Sequence, residues 1–148
     1  MSNTISKADF LSVLDDTFSV GKTFAFTPTG DSMKPMLNGT TDTVLLSQQP
    51  QKLKKYDVVF YRRKKDDALI LHRIVKVCGD MYTMSGDSQY YFDKDIHYDD
   101  IFAVMVSFTH NNKRYLCTDF LYKCYSRIIL IKKYTRIFFS KLYHRIIK

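Results

Sequence analysis

The sequence has no glutamate: its 15 acidic residues are all aspartate, set against 23 lysines and arginines, for a formal net charge of +8 over 148 residues. Cysteine is scarce and odd in number. Cys78, Cys117 and Cys124 lack the C-x-x-C spacing of a zinc site or a dithiol redox motif, so a reducing compartment is the expectation. Long apolar runs are missing too, because charges interrupt every hydrophobic run well before the roughly 18 to 20 residues a bilayer requires. No transmembrane helix is expected. The opening MSNTISKADF has neither the basic region nor the apolar run of a secretory signal, which makes the cytoplasm the default location. The chain also lacks H-E-x-x-H, a Walker-type loop and any Cys-His cluster, so neither a metal nor a nucleotide cofactor is expected. No internal repeat or low-complexity linker is visible.

With 45% hydrophobic and 26% charged residues, the composition is that of a folded globular chain, and its length suits one domain. The charge is unevenly placed. Residues 119–148 hold eight basic residues against the single acid Asp119, while residues 1–118 hold 15 basic residues against 14 acids. The body is nearly neutral and the tail is basic, which divides the chain into a body over 1–118 and a tail over 119–148.

In the body, Phe10, Leu11, Val13, Leu14 and Phe18 repeat at helical spacing, predicting a short amphipathic helix over residues 7–19 that ends at Gly21. Short β-rich runs follow: KTFAFTPTG, DTVLLSQ, YDVVFYRR, ALILHRIVKV, MYTMSGD, IFAVMVSFTH and KRYLCT. Turn signals separate them at Lys64–Asp67, Gly79-Asp80 and Asn111-Asn112. Strands at intervals of about ten residues predict an antiparallel, barrel-like β body. In the tail, Leu121, Cys124, Ile128, Ile131, Thr135, Phe138 and Leu142 form a three-four repeat, predicting one long basic amphipathic helix or two shorter ones. That stripe is expected to pack on the body or on a partner, the alternative being an anionic lipid surface.

Three segments carry chemistry-bearing residues. In FTPTGDSMKPML, Ser32 sits on a tight turn after a strand, where backbone N–H groups can surround an exposed hydroxyl. LHRIV places His72 inside an apolar strand, and SGDSQYYFD offers Asp87 and Asp93 around a glycine turn. Each alone has an ordinary reading, as a turn serine, a structural histidine or turn aspartates. In order and together, GDSMKPML, YDVVFYR, LHRIV and SGDSQYYFD resemble the successive signature blocks of the signal peptidase I family and of its relatives, the LexA-type self-cleaving repressors. A serine in an S-M-x-P turn paired with a histidine before Arg is similar to the branch in which histidine replaces the general-base lysine. The resemblance spans about Phe24 to Phe108.

The resemblance implies a mostly β fold of coiled antiparallel sheets, with Ser32 as nucleophile, its own backbone N–H in the oxyanion hole, and His72 as general base. Asp87 and Asp93 both stand where the family carries acids; Asp93 is favoured as the partner that orients His72, with Asp87 as support or turn former. The chain departs from the family at Gly30, where many members have serine, at Tyr56, often glycine, and at Ser88, usually asparagine. Met33 is expected to pack beneath the turn and Pro35 to fix the backbone after it. Arg73, His97, His110 and His144 are expected at the surface.

The function expected from these residues is a serine endopeptidase that cleaves the leader or signal segment of a peptide or preprotein. The alternatives are an idle binding module of the same fold and a LexA-like self-cleaving regulator. About 20 residues precede the first strand, too few for a helix-turn-helix, so no nucleic-acid partner is expected.

Overall fold

Ser6 opens the first helix, its side chain accepting the Asp9 N–H at 3.1 Å, and α1 runs from Lys7 to Ser19. The structure is a computed structural model that describes residues 5–147. Leu14 and Phe18 are buried, whereas Val13, expected on the same face, is 51% exposed. Gly21 at φ 70 lets the chain leave the helix in a left-handed conformation that L side chains rarely adopt.

Eight strands follow: β1 (Phe24–Phe26), β2 (Thr43–Gln48), β3 (Val58–Arg63), β4 (Ala68–Cys78), β5 (Met81–Ser85), β6 (Asp93–His97), β7 (Ile101–His110) and β8 (Lys113–Leu116). They form one antiparallel sheet in the order β1-β2-β7-β3-β4-β5-β6, with β8 beside β7, curled into a half-barrel. Asn111 and Asn112, at φ 49 and 61, make the β7–β8 hairpin turn, which needs left-handed residues at both positions. Strand β6 had no separate sequence signal. Its DKDIH carries one apolar residue, Ile96, and it joins the sheet at the edge.

The two faces of the central strands are both covered. Val58 and Phe60 join Leu14, Met33, Leu37 and Phe108 in one core, while Val59 and Tyr61 join Ile74, Met84 and Ile101 in another. Burial on both sides explains why β3 reads as the unbroken apolar run VVFY.

The tail forms one continuous helix, α2 (Phe120–Ile146). It does not pack as its hydrophobic repeat suggested. Its buried positions are Ser126, Leu130 and Lys133, while Leu121, Ile128, Ile131, Phe138 and Leu142 are 41–75% exposed. The reason is polar: the body beneath α2 presents a buried carboxylate, a hydroxyl and a carbonyl, and these select Tyr125 and Lys133 for the inner face. Among the described residues, no helix is long and apolar enough to cross a membrane.

Candidate functional site

Beyond β1 the chain enters a turn in which Gly30 adopts φ 89, a region that L side chains rarely adopt. The following loop closes against it: a Cβ on Gly39 would collide with the Gly30 backbone, and the Thr40 N–H donates to the Pro28 carbonyl at 2.9 Å. Asp42 braces this loop, accepting the Asn38 N–H at 2.7 Å and pairing with His110 Nδ1 at 2.6 Å. Burial pushes the Asp42 carboxyl up, but the Asn38 N–H and His110 outweigh it and hold it below the ordinary range. His110 is thus a half-buried structural partner rather than a surface residue.

The turn carries Ser32, with Met33 buried beneath it. Ser88 grips it from the other side. The Ser88 N–H and hydroxyl each donate to the Ser32 carbonyl at 3.0 Å, and the hydroxyl also reaches the Asp31 carbonyl at 2.9 Å. Gly86 permits the approach, since a Cβ there would stand 2.5 Å from the Ser32 carbonyl oxygen. The Ser32 N–H donates to no group among the described residues and is available to an incoming oxygen.

Register sets the remaining groups. In the β3–β4 pair Tyr61 lies opposite Ile70, so Tyr61 and His72 are diagonal neighbours on one face of the sheet, and Arg73 points to the other. His72 is 2% exposed; its Nδ1 is 3.2 Å from the Tyr61 hydroxyl and 3.6 Å from Asp93 Oδ2. Tyr61 donates to Asp93 Oδ2 at 2.6 Å. A hydroxyl has one proton, so with that proton given to Asp93 the Tyr61 oxygen accepts from His72. Neutral His72 therefore carries its proton on Nδ1 and keeps the Nε2 lone pair free. Arg63 holds Asp93 from outside, Nη1 lying 3.3 Å from each carboxylate oxygen.

Burial, opposed by Asp93 and assisted by Arg63 and Lys133, pushes the His72 imidazole down to about 4. His72 is neutral at pH 7. Burial followed by the bond to Asp93 pushes the Tyr61 phenol well above its ordinary range, so it stays a proton donor.

Asp87 lies elsewhere. Its carboxylate takes a two-point pair from Arg73, Nε to Oδ1 and Nη2 to Oδ2, both at 2.8 Å. Arg73 is fully buried, not at the surface as its sequence position suggested, and its Nη1 donates to the Tyr56 carbonyl, Tyr122 and Ser126. Tyr125 adds a hydrogen bond to Asp87 at 3.0 Å. Two turns of α2 further on, Lys133 donates to the Ser85 hydroxyl and the Gly86 carbonyl, each at 2.5 Å. Asp87 thus anchors α2 to the turn that grips Ser32, and Asp93 is the acid beside His72.

Ser32 and His72 line the same cavity of about 290 Å³, together with Phe26, Phe60, Arg63 and Gln89. Among the described residues the two side chains share no hydrogen bond, so the expected nucleophile–base contact is not closed. Gln89 Oε1 is buried at this site without a protein partner. Tyr61 is the contributor that the sequence did not single out, and Ser88, marked there only as a departure from the family pattern, is the residue that grips the Ser32 turn. Tyr61 had a usable signal, since the Lys64–Asp67 turn fixes the hairpin register and alternation then places residues 61 and 72 on one face. Ser88 stood out only by its place in the motif, and no signal there pointed to its role in gripping Ser32. Among the described residues, no group of three His, Cys or Asp side chains is placed to hold a metal ion.

No family model matches this chain, and no curated protein matches it.

Proposed function

We propose that the protein is a serine endopeptidase of the signal peptidase type, with a signal peptidase/LexA-like fold, acting on the leader segment of a peptide or preprotein. The observation that supports this reading is the shared cavity, lined by Ser32 and by a buried neutral histidine whose Nδ1 side is occupied by the Tyr61–Asp93 pair. In the proposed reaction the Ser32 hydroxyl attacks the scissile carbonyl as His72 Nε2 takes its proton. The carbonyl oxygen turns toward the free Ser32 N–H as it gains charge. The imidazolium so formed is stabilised by Asp93 through Tyr61, then gives its proton to the leaving amine, and water repeats the sequence on the acyl-serine. Strand β1 pairs with β2 alone, so its open edge, ending at the cavity-lining Phe26, offers main-chain groups to an extended substrate.

Incubation with a pool of preprotein-derived peptides, read by mass spectrometry, tests the proposal. Cleavage by the native chain is expected, with Ser32→Ala and His72→Ala each slower by on the order of 10³-fold or more. Undiminished cleavage by Ser32→Ala would overturn it. The open Ser32–His72 contact favours a second reading, an idle binding module, under which the native chain cleaves nothing and Ser32→Ala retains the bound peptide.

A further inference from the structure

The outward side of α2 is apolar along most of its length, with Thr135 its one exposed polar side chain. At 1.5 Å and 100° per residue, the helix from Phe120 to Ile146 is about 40 Å long. Phe120, Ile128, Ile131, Phe138, Phe139 and Ile146 fall within an arc of about 100° on the side away from Ser126 and Lys133. Each of the six is 51–77% exposed. Lys141 and Arg145 run along one edge of this face and Lys132 along the other, and none of the three has a salt-bridge partner among the described residues. The helix contains no acid at all.

We propose that this face docks on an anionic bilayer surface, with α2 lying in the headgroup plane and the β body held on the side away from the lipid. A broad apolar face flanked by cations on long, flexible stems is what such an interface accepts: the rings and branched chains enter the acyl boundary while the ammonium and guanidinium groups remain among the phosphates. The body does not compete for the face, because α2 is anchored through its opposite side by Ser126 and Lys133. No stretch of the helix is apolar enough to cross the bilayer, which fits a helix that lies on it. A second copy is a poorer occupant. Two such faces in contact would bring Lys132, Lys141 and Arg145 against their own counterparts with no carboxylate on the helix to offset them. The inference does not depend on peptidase activity, since none of these residues lines the cavity with Ser32.

Co-sedimentation of the full chain with vesicles tests it, comparing phosphatidylcholine vesicles that contain phosphatidylglycerol with pure phosphatidylcholine. The chain is expected to pellet with the anionic vesicles, to bind neutral ones at least about tenfold more weakly, and to be released by added salt. The double variant Phe138→Asp/Phe139→Asp is expected to lose binding by on the order of tenfold or more with its melting temperature unchanged, both side chains being exposed. Three results would overturn the proposal. The first is no pelleting with anionic vesicles by a chain that is monomeric in buffer, which leaves the face to a protein partner. The second is equal binding by the double variant. The third is a dimer in vesicle-free buffer that the double variant converts to monomer, which assigns the face to a second copy.

Discussion

His72 and Arg73 are consecutive residues of one strand, and each meets an aspartate that lies between Gly86 and Ile96, yet the two pairs do opposite work. Alternation sends Arg73 to the face covered by α2, where the guanidinium and Asp87 satisfy each other at two points, Tyr125 donates to Asp87, and Arg73 donates to Tyr122 and Ser126. His72 goes to the other face, where the line from Nδ1 through Tyr61 to Asp93 leaves one ring nitrogen uncommitted. The first cluster is saturated and holds elements together. The second is open at one end, and an open basic nitrogen in a cavity can move a proton. A buried polar group is a structural member when all its bonding capacity is used, and a chemical one when part of it is kept free.

The largest expected effect breaks the saturated side. Asp87→Ala leaves the Arg73 guanidinium buried and unpaired, which costs about 3–5 kcal/mol, read as the loss of urea stability. Asp93→Ala is far milder, at about 1–2 kcal/mol, because Arg63 keeps Asp66 at 2.6 Å and the freed Tyr61 hydroxyl can donate to His72. Equal losses in the two variants would show that the Asp93 side is as structural as the other.

A smaller effect sharpens the open side. Tyr61→Phe removes the oxygen that accepts the His72 Nδ1 proton and leaves Asp93 at 3.6 Å, too far for a good hydrogen bond. Under the peptidase reading, kcat is expected to fall by on the order of tenfold with KM unchanged, since Tyr61 does not line the cavity. A change in KM alone would mean that the tyrosine shapes the cleft and leaves the base untouched.

How far these two clusters could be read from the sequence depends on what alternation and periodicity register. The apolar runs marked most of the sheet because IFAVMVSFTH and ALILHRIVKV are long and β-branched, and β6 escaped because DKDIH has a single apolar residue to count. Ser32, His72, Asp87 and Asp93 stood out by residue type and order. The division of labour between the two acids did not, because it follows from which face residues 72 and 73 take, and that needs the strand register. The face of α2 was misjudged for a related reason. A hydrophobic repeat finds the apolar side of a helix, and here the buried side carries Ser126 and Lys133, chosen by polar partners that come from distant parts of the chain. Tyr56 shows strain of the same hidden kind: at φ 82 it occupies a left-handed position natural to glycine, and its ring stacks beneath Arg127 of α2.

A pH series separates the clusters gradually, with no single condition carrying the whole effect. Burial lowers two cations, His72 to about 4 on the open side and Lys133 to about 8 beneath α2. For each, the unfolded chain binds the proton at a pH where the folded chain does not, so stability rises with pH between the folded and unfolded values, by at most about 1.4 kcal/mol per pH unit. His72 thus contributes a rise from about pH 4 to its unfolded value near 6.5, lost again as the solution is acidified. Lys133 contributes a separate rise from about pH 8 toward 10.5. Urea midpoints measured across both windows should show His72→Gln flattening the acid rise alone, and Lys133→Met flattening the alkaline rise and also narrowing the acid one, because the Lys133 charge helps to lower His72. If Lys133→Met leaves the acid rise unchanged, the charge beneath α2 is not felt at His72, and the two faces of β4 titrate independently.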